Sequence, residues 1–472
     1  MNPIKNKCLP KLALAGVMGI SMMSCNSFLD ITPDGQEKLE TILSTPDGIE
    51  SAMYGVYSQL RNSNLYGSSL SFRIVDIMGQ YFTVYGGNND HLAALQNYDY
   101  TYSSVRNDFE YIWTTMYNNI SNVNAVINCK LLSGENLTFP FNIYKGEALG
   151  LRAFMHFDLV RLFPEQYTLN PNASGIPYSK SFSLITPDFM SLKENYDNIL
   201  ADLLEAEKLL ANEGQYTDMT GYMMDRMIHF NLNAVKATLA RVYLTMGDKA
   251  NAMKYAKEVI DNSGKIITGR YSLYGDLAGV LSSNETIFGV YYSEFYSLVG
   301  PNLQQHISWS SLQPRRDCLD IFRADGEDQR VAAYFLEDPN YSVPTFIKLT
   351  DQYELNSTTR PADLIPGINL IRLPEMYYIM AESLLDTDPA QATEYFNTMI
   401  YNRGLLPLDQ RNTPLTLTTE IINNERYKEF WGEGQGFFNH KRLNIPISTP
   451  EGDVMPVYIV PIPDIEFEYR PN

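Results

Sequence analysis

The chain has 472 residues, 44% of them hydrophobic, with 55 acidic against 36 basic side chains and a formal net charge of −19. That apolar share supports a folded core and excludes a wholly disordered chain. The acidity excludes a nucleic-acid partner, whose phosphates require clustered Lys and Arg, and argues against broad adhesion to anionic lipid.

At the start, Lys5, Lys7 and Lys11 precede an apolar run over residues 12–23. The run is too short to span a bilayer, which takes about 20 apolar residues, and has the layout of a secretory signal. It ends in "MMSCNSFLD" (22–30), with Cys25 directly after Ser24. This pattern resembles a bacterial lipobox, in which the cysteine thiol is acylated and becomes the new N-terminus; a plain secretion signal with an incidental Cys is the alternative. Residues 1–24 are therefore expected to be removed, leaving Cys25 lipidated and the chain anchored to a membrane rather than threaded through it. Of the remaining cysteines, Cys129 and Cys318 could pair in an oxidising compartment or stay as buried thiols. No Cys/His cluster suggests a structural zinc site.

The middle of the chain reads as helices in pairs. A helix over about 109–132 precedes "YKGEALGLRAFMHFDLVRLFPE" (144–165), whose Ala148, Ala153, Phe154, Phe157 and Val160 give it an apolar face. Residues 191–211 form another helix, rich in Leu and Glu. In "NLNAVKATLARVYLTMGDKANAMKYAKEVIDNSG" (231–264), Val235, Leu239, Val242 and Met246 recur at helical spacing. Ala234, Ala237 and Ala240 keep a neighbouring side thin, and Gly247-Asp248 breaks the run. Two helices, a tight turn and small residues at the crossing make a tetratricopeptide-like unit of about 34 residues. The pattern returns over 371–404, where Pro374 and Pro389 suit first helical turns. Long inserts over 62–105, 265–370 and 405–420 are rich in Tyr, Asn, Ser, Gly and Pro. Strand signals are confined to "TIFGVYY" (286–292) and "PVYIVPIP" (456–463). The expected fold is mainly α: helix pairs as a scaffold, with long irregular loops and a few short strands.

At this point several segments together resemble the SusD-like (RagB/SusD) outer-membrane nutrient-binding lipoproteins of Bacteroidetes. They are "CNSFLDITP" (25–33), "YIWTTMYNNISNVNAVI" (111–127), "KGEALGLRAFMHFDLVRLF" (145–163), "LIRLPEMYYIMAESLL" (370–385), "NNERYKEFWGEGQGFFNHKRL" (423–443) and "PIP" (461–463) with Pro471-Asn472. The order matches over the whole length, although Asn439 stands where the family usually has Asp and Gln435-Gly436 where an Arg often sits. The resemblance implies one SusD-like domain over 25–472, with an N-terminal part over about 26–215 and a C-terminal RagB/SusD part over about 280–472. It implies four tetratricopeptide-like pairs and a partner, a SusC-like TonB-dependent transporter in the outer membrane. The protein would sit over that barrel as a hinged lid at the cell exterior, capture a nutrient and hand it inward. No cofactor is implied.

Two stretches carry the chemistry that sugars need, flat rings for C–H faces and amides or carboxylates for hydroxyls. One is "GQYFTVYGGNNDH" (79–91), with Tyr81, Phe82, Tyr85, Asn88, Asn89 and Asp90. The other is "YYSEFYSLVGPNLQQHISWS" (291–310), with Tyr292, Tyr296, Asn302, Gln304 and Trp309. Family members that bind glycans resemble this in placing aromatics and an Asn from comparable loops around the ligand. An oligosaccharide is the expected cargo; Tyr and Asn also suit oligopeptides. An alternative of another class is a secreted glycoside hydrolase using Glu425 and Glu429 as paired carboxylates. Their spacing of four on one helix, beside Arg426, Lys441 and Arg442, favours a structural ion-pair lattice. A periplasmic adaptor without a small ligand is a further alternative. The five histidines are scattered singly, without HExxH or other metal spacing, and no GxSxG elbow or GxxxxGK[ST] loop occurs.

Overall fold

The computed structural model describes residues 34–84, 90–183, 185–216, 221–272, 280–303, 312–350, 359, 364–468 and 470. Residues 1–42 and 43–472 form separate compact units. In the first, the described residues form helix α1 (Asp34–Ile42). Cys25 lies outside the described residues.

The second unit holds helices α2 (Pro46–Leu60), α3 (Ile74–Met78), α4 (Asp90–Gln96), α5 (Ser103–Ile127), α6 (Phe141–Leu162), α7 (Leu192–Leu210), α8 (Leu232–Met246) and α9 (Lys249–Asn262). They are followed by α10 (Phe295–Leu303), α11 (Cys318–Arg323), α12 (Arg330–Tyr334), α13 (Leu373–Leu384), α14 (Pro389–Asn402), α15 (Thr419–Glu429), α16 (Gly436–Leu443) and α17 (Ile465–Glu468). The scaffold is a stack in which each helix packs on the next, running α2, α5, α6, α7, α8, α9, α13, α14. The mainly helical class expected from the sequence holds. Helix α13, which follows the insert after α9, packs on α9.

Local chemistry explains where these helices start. The Ser191 hydroxyl accepts from Glu194 N–H while the Glu194 carboxylate accepts from Ser191 N–H, a complete capping box. Asn231, Asp248, Asp388 and Thr418 cap α8, α9, α14 and α15 through single side-chain acceptors, each contributing roughly 1 kcal/mol. Gly247 takes φ +81° between α8 and α9, a left-handed cap that a side chain would strain. Helix α6 is buried on nearly all sides, as suits the middle of a stack. Its glycines let neighbours approach: a Cβ on Gly146 would meet Leu210 at 2.7 Å, and one on Gly150 would meet Phe230 at 2.5 Å.

The strands are short and lie outside the stack. β1 (Phe82–Thr83), β2 (Ser174–Pro177), β3 (Phe189–Ser191), β4 (Val280–Leu281), β5 (Thr286–Tyr291), β6 (Gln313–Pro314), β7 (Phe335–Leu336), β8 (Thr345–Phe346), β9 (Ile365–Arg372), β10 (Ile447–Thr449) and β11 (Gly452–Val454) form small antiparallel sheets. The largest has the order β4-β9-β5. β5 matches the expected strand at 286–292. β9, read from the sequence as part of an irregular insert, is a correction: Ile368, Leu370 and Ile371 turn into the core and the strand runs directly into α13. The expected strand at 456–463 is a second correction. The segment joins no sheet, because Pro456, Pro461 and Pro463 lack the N–H a ladder needs. It is held instead by Val460 N–H donating to Phe163 O (3.1 Å) and by the Tyr100 hydroxyl donating to Val457 O (2.7 Å). Cys129 and Cys318 are both free and buried, so they do not pair.

Candidate functional site

The first stretch singled out for ligand chemistry carries β1, which pairs with β6 just after the second stretch. The register of this β1–β6 ribbon pairs Phe82 with Pro314 and Thr83 with Gln313 in antiparallel sense. The chain running on from Thr83 and the chain leading into Gln313 therefore meet at the same end of the ribbon. Tyr85, Asn88, Asn89 and Trp309 belong to those two connections and lie outside the described residues, as does Gln304. Asp90 and Asn302 are placed as the first residue of α4 and the penultimate residue of α10.

The ribbon is mounted on an aromatic base. The Tyr81 ring stacks on Tyr427 at 4.1 Å between centroids and lies 4.9 Å from Trp431. Its hydroxyl donates to Tyr427 O at 3.1 Å, and the Tyr427 hydroxyl donates to Gly79 O at 3.1 Å. Tyr81 is fully buried, which corrects its expected role: the ring pins the loop and has no face left for a ligand. Phe82 is buried likewise against Phe346 and Trp431. Amides fasten the other side, with Gln96 donating to Phe82 O (2.7 Å) and Gln80 donating to Gln96 O (2.9 Å). Below, the Asp76 carboxylate accepts from Gly432 N–H (2.7 Å) and Gly434 N–H (3.1 Å), which fixes the "GEGQG" turn after α15.

Of the second stretch, Tyr292 is half-buried with the Arg61 guanidinium 5.5 Å from its ring centre. Tyr296 is buried beside Phe295, which packs edge-on against Phe72. Next to Tyr292 opens a cleft of about 180 Å³ whose polar and aromatic lining includes Tyr54, Tyr57, Ser58, Arg61, His229 and Tyr291. Tyr54 and Tyr291 expose nearly half their surface. Sequence reasoning missed the α2 contribution. Its signal was present: Tyr54 and Ser58 are one turn apart on the polar face of an amphipathic helix that ends at Arg61.

The floor of this cleft is electrostatically fixed. The buried Glu147 carboxylate of α6 accepts from the hydroxyls of Tyr57 and Tyr222, both at 2.6 Å, and faces Arg226 at 2.6 Å and His229 at 3.5 Å. Burial works to raise the Glu147 pKa, but the charges of Arg226 and His229 and the donated hydrogen bonds outweigh it and bring it down to about 2.

Glu425 and Glu429 sit elsewhere, in the interior. Glu429 accepts from Arg403 Nε and Nη2 (both 2.9 Å), Arg372 Nη1 (2.9 Å) and Arg330 Nη1 (3.3 Å). Glu425 accepts from Arg330 at 2.7 Å and pairs with Lys428. Arg330 also holds Asp328 at 2.6 Å, and Arg372 and Arg403 share Glu285. Burial alone would raise the Glu429 pKa; Arg403 and Arg372 overcome it and hold it well below the usual carboxylate range. A general acid needs the opposite shift. The lattice reading of these carboxylates therefore holds, and the hydrolase alternative loses the residues it named. Among the described residues no cluster of His, Cys, Asp and Glu could hold a metal, and no helix is long and apolar enough to cross a membrane.

Two family models match the chain. One, described as starch-binding and associating with the outer membrane, covers residues 27–244; the other, described as the SusD family, covers residues 320–453. A curated relative, SusD-like protein P2 of Formosa agariphila, is 24% identical over 277 residues, or 57% of this chain; the match spans about half (49%) of that relative's length. Among solved structures, a SusD superfamily protein from Bacteroides thetaiotaomicron aligns with a TM-score of 0.72 at 24% identity, covering 90% of this chain and 97% of that one. A SusD-like carbohydrate-binding protein from Bacteroides vulgatus aligns at 0.67 and 20% identity, covering 85% and 84%. The surface glycan-binding protein A of Bacteroides fluxus aligns at 0.63 and 20% identity, covering 84% and 89%.

Proposed function

The chain belongs to the SusD family, and from that premise we propose that it is a lipid-anchored outer-membrane protein that binds a glycan at the cell exterior and passes it to a SusC-like TonB-dependent transporter. The observation that carries the reading is the β1–β6 register, which brings the chain leaving Thr83 and the chain entering Gln313 to one end of a ribbon. In this reading Tyr85, Asn88, Asn89, Asp90, Tyr292, Asn302 and Trp309 supply the binding surface, and the buried Tyr296 backs it. Rings pack on the C–H faces of sugar units while amides and carboxylates take the hydroxyls. The exposed rings of Tyr54 and Tyr291 beside Arg61 extend that surface. Cys25 is the anchor, its thiol acylated at the mature N-terminus.

Binding, not turnover, is the mechanism. The carboxylates best spaced to imitate a glycosidase are buried in ion pairs. The glycan reading draws support from the starch-binding description of the N-terminal family model and from the glycan- and carbohydrate-binding proteins that share the fold. Calorimetry of the mature chain against panels of oligosaccharides and oligopeptides tests the cargo. Saturable heat with a glycan and none with peptides is the expected result; the reverse makes the cargo a peptide, and release of reducing ends makes the protein an enzyme. Detergent co-purification from the native host tests the transporter.

A further inference from the structure

The packing of α6, α8, α15 and α16 brings five cationic side chains, Arg161, Arg241, Arg426, Lys441 and Arg442, to the wall of one cavity of about 40 Å³. Three of them are matched. Arg161 pairs with Asp158 at 2.8 Å. Arg241 grips Glu375 through two hydrogen bonds of 2.7 and 2.6 Å. Arg442 grips Glu382 through two of 2.7 and 2.8 Å. In the last two pairs both oxygens of the carboxylate are engaged by the same guanidinium.

Lys441 and Arg426 have no carboxylate partner. The Lys441 ammonium donates to Leu162 O at 2.8 Å, and burial pulls its pKa well below the ordinary value, so it can shed its charge. Arg426 has no such escape, because a guanidinium stays protonated in proteins. It is 7% exposed, and its buried Nε and Nη1 donate to no protein group. Glu165 lines the same cavity, half-buried, without forming an ion pair with it. A neutral molecule could take these hydrogen bonds, but only an anion would add to the partial compensation that the charges of Glu382 and Glu375 supply.

We propose that this cavity binds a small inorganic anion, chloride, as the counter-charge of Arg426. A body the size of a water needs only about 10–15 Å³, so the space has room for a monatomic halide. The unpartnered Nε–H and Nη1–H of Arg426 at the wall are donors of the kind a halide accepts from. The site shares no residue with the proposed glycan surface and does not depend on the proposed function.

Bromide is the probe. Crystals of the mature chain grown or soaked in sodium bromide should show an anomalous peak within about 4 Å of the Arg426 guanidinium. In solution, the Tm of the mature chain should rise with the logarithm of chloride concentration and exceed by a few degrees its value in sodium gluconate of equal ionic strength, since an ion that binds only the folded state stabilises it by mass action. Arg426→Met should abolish the difference between the two salts. No bromide peak in the wild-type crystals overturns the proposal. So does an equal Tm in chloride and gluconate for the wild-type chain. Both readings hold even if the variant fails to fold.

Discussion

Arg403 and Glu429 meet through two hydrogen bonds of 2.9 Å, with neither side chain exposed to solvent. Arg403 follows α14 and Glu429 ends α15, so the contact ties the last helix pair of the stack to the C-terminal segment. Removing one partner leaves a buried charge uncompensated. Arg403→Leu is expected to destabilise the fold by about 3–5 kcal/mol, read as a lower urea midpoint. Loss of under about 1 kcal/mol would mean that Arg372 and Arg330 already neutralise Glu429.

Glu147 predicts an acid limb. Its carboxyl titrates at about 2 when folded against an ordinary 4.5. A depressed folded pKa contributes stability that is fully present above the unfolded value and is lost as pH falls through the folded one. Stability should therefore decline between about pH 4.5 and 2, with Glu429 adding in the same direction. Glu147→Gln should flatten part of this limb and lower stability at pH 7. An unchanged acid profile would show that Glu147 contributes no linkage.

Two glycines should respond oppositely to alanine. Gly434 has φ +68°, and a Cβ there would lie 2.1 Å from Leu70 O, a backbone atom that cannot swing aside. Gly434→Ala should cost about 1–3 kcal/mol or more. Gly55 sits exposed inside α2 with nothing within 4 Å of a Cβ. Gly55→Ala should stabilise by roughly 0.5–1 kcal/mol. Thermal melts of both variants check the signs.

At the ligand surface, Tyr292→Ala and Trp309→Ala should each weaken glycan binding by about 5–30-fold, the usual effect of truncating an aromatic contact. Tyr81→Phe is the control. It removes a buried hydrogen bond to Tyr427 O and should lower stability by about 1 kcal/mol while leaving affinity unchanged. A loss of affinity in Tyr81→Phe with unaltered stability would return that residue to the binding surface.

The helical stack was legible because its signals are local. The alanines of α8, the Gly247-Asp248 break and the proline-opened helices each report on a few neighbours. β9 was hidden because Pro366-Gly367 reads as a turn, and only pairing with β4 and β5 makes the segment a strand. The segment 456–463 misled in the opposite way, since its β-branched residues suggest a strand whose prolines cannot pair. Tyr81 was misjudged for a third reason. Nothing near it in the chain announces Tyr427, which lies 346 positions later and takes its ring into the core. The α2 face, with Tyr54 and Arg61, was readable but was not joined to Tyr291 until the fold brought them together.

Because Thr83 and Gln313 are opposite partners, insertions after one or before the other can be accommodated at the open end of the ribbon without moving its anchored end. In the proposed reading recognition diversifies there one loop at a time, while the buried charges and stacked rings hold the anchored end. Such an arrangement separates the part of the chain that can vary in length from the part whose packing cannot.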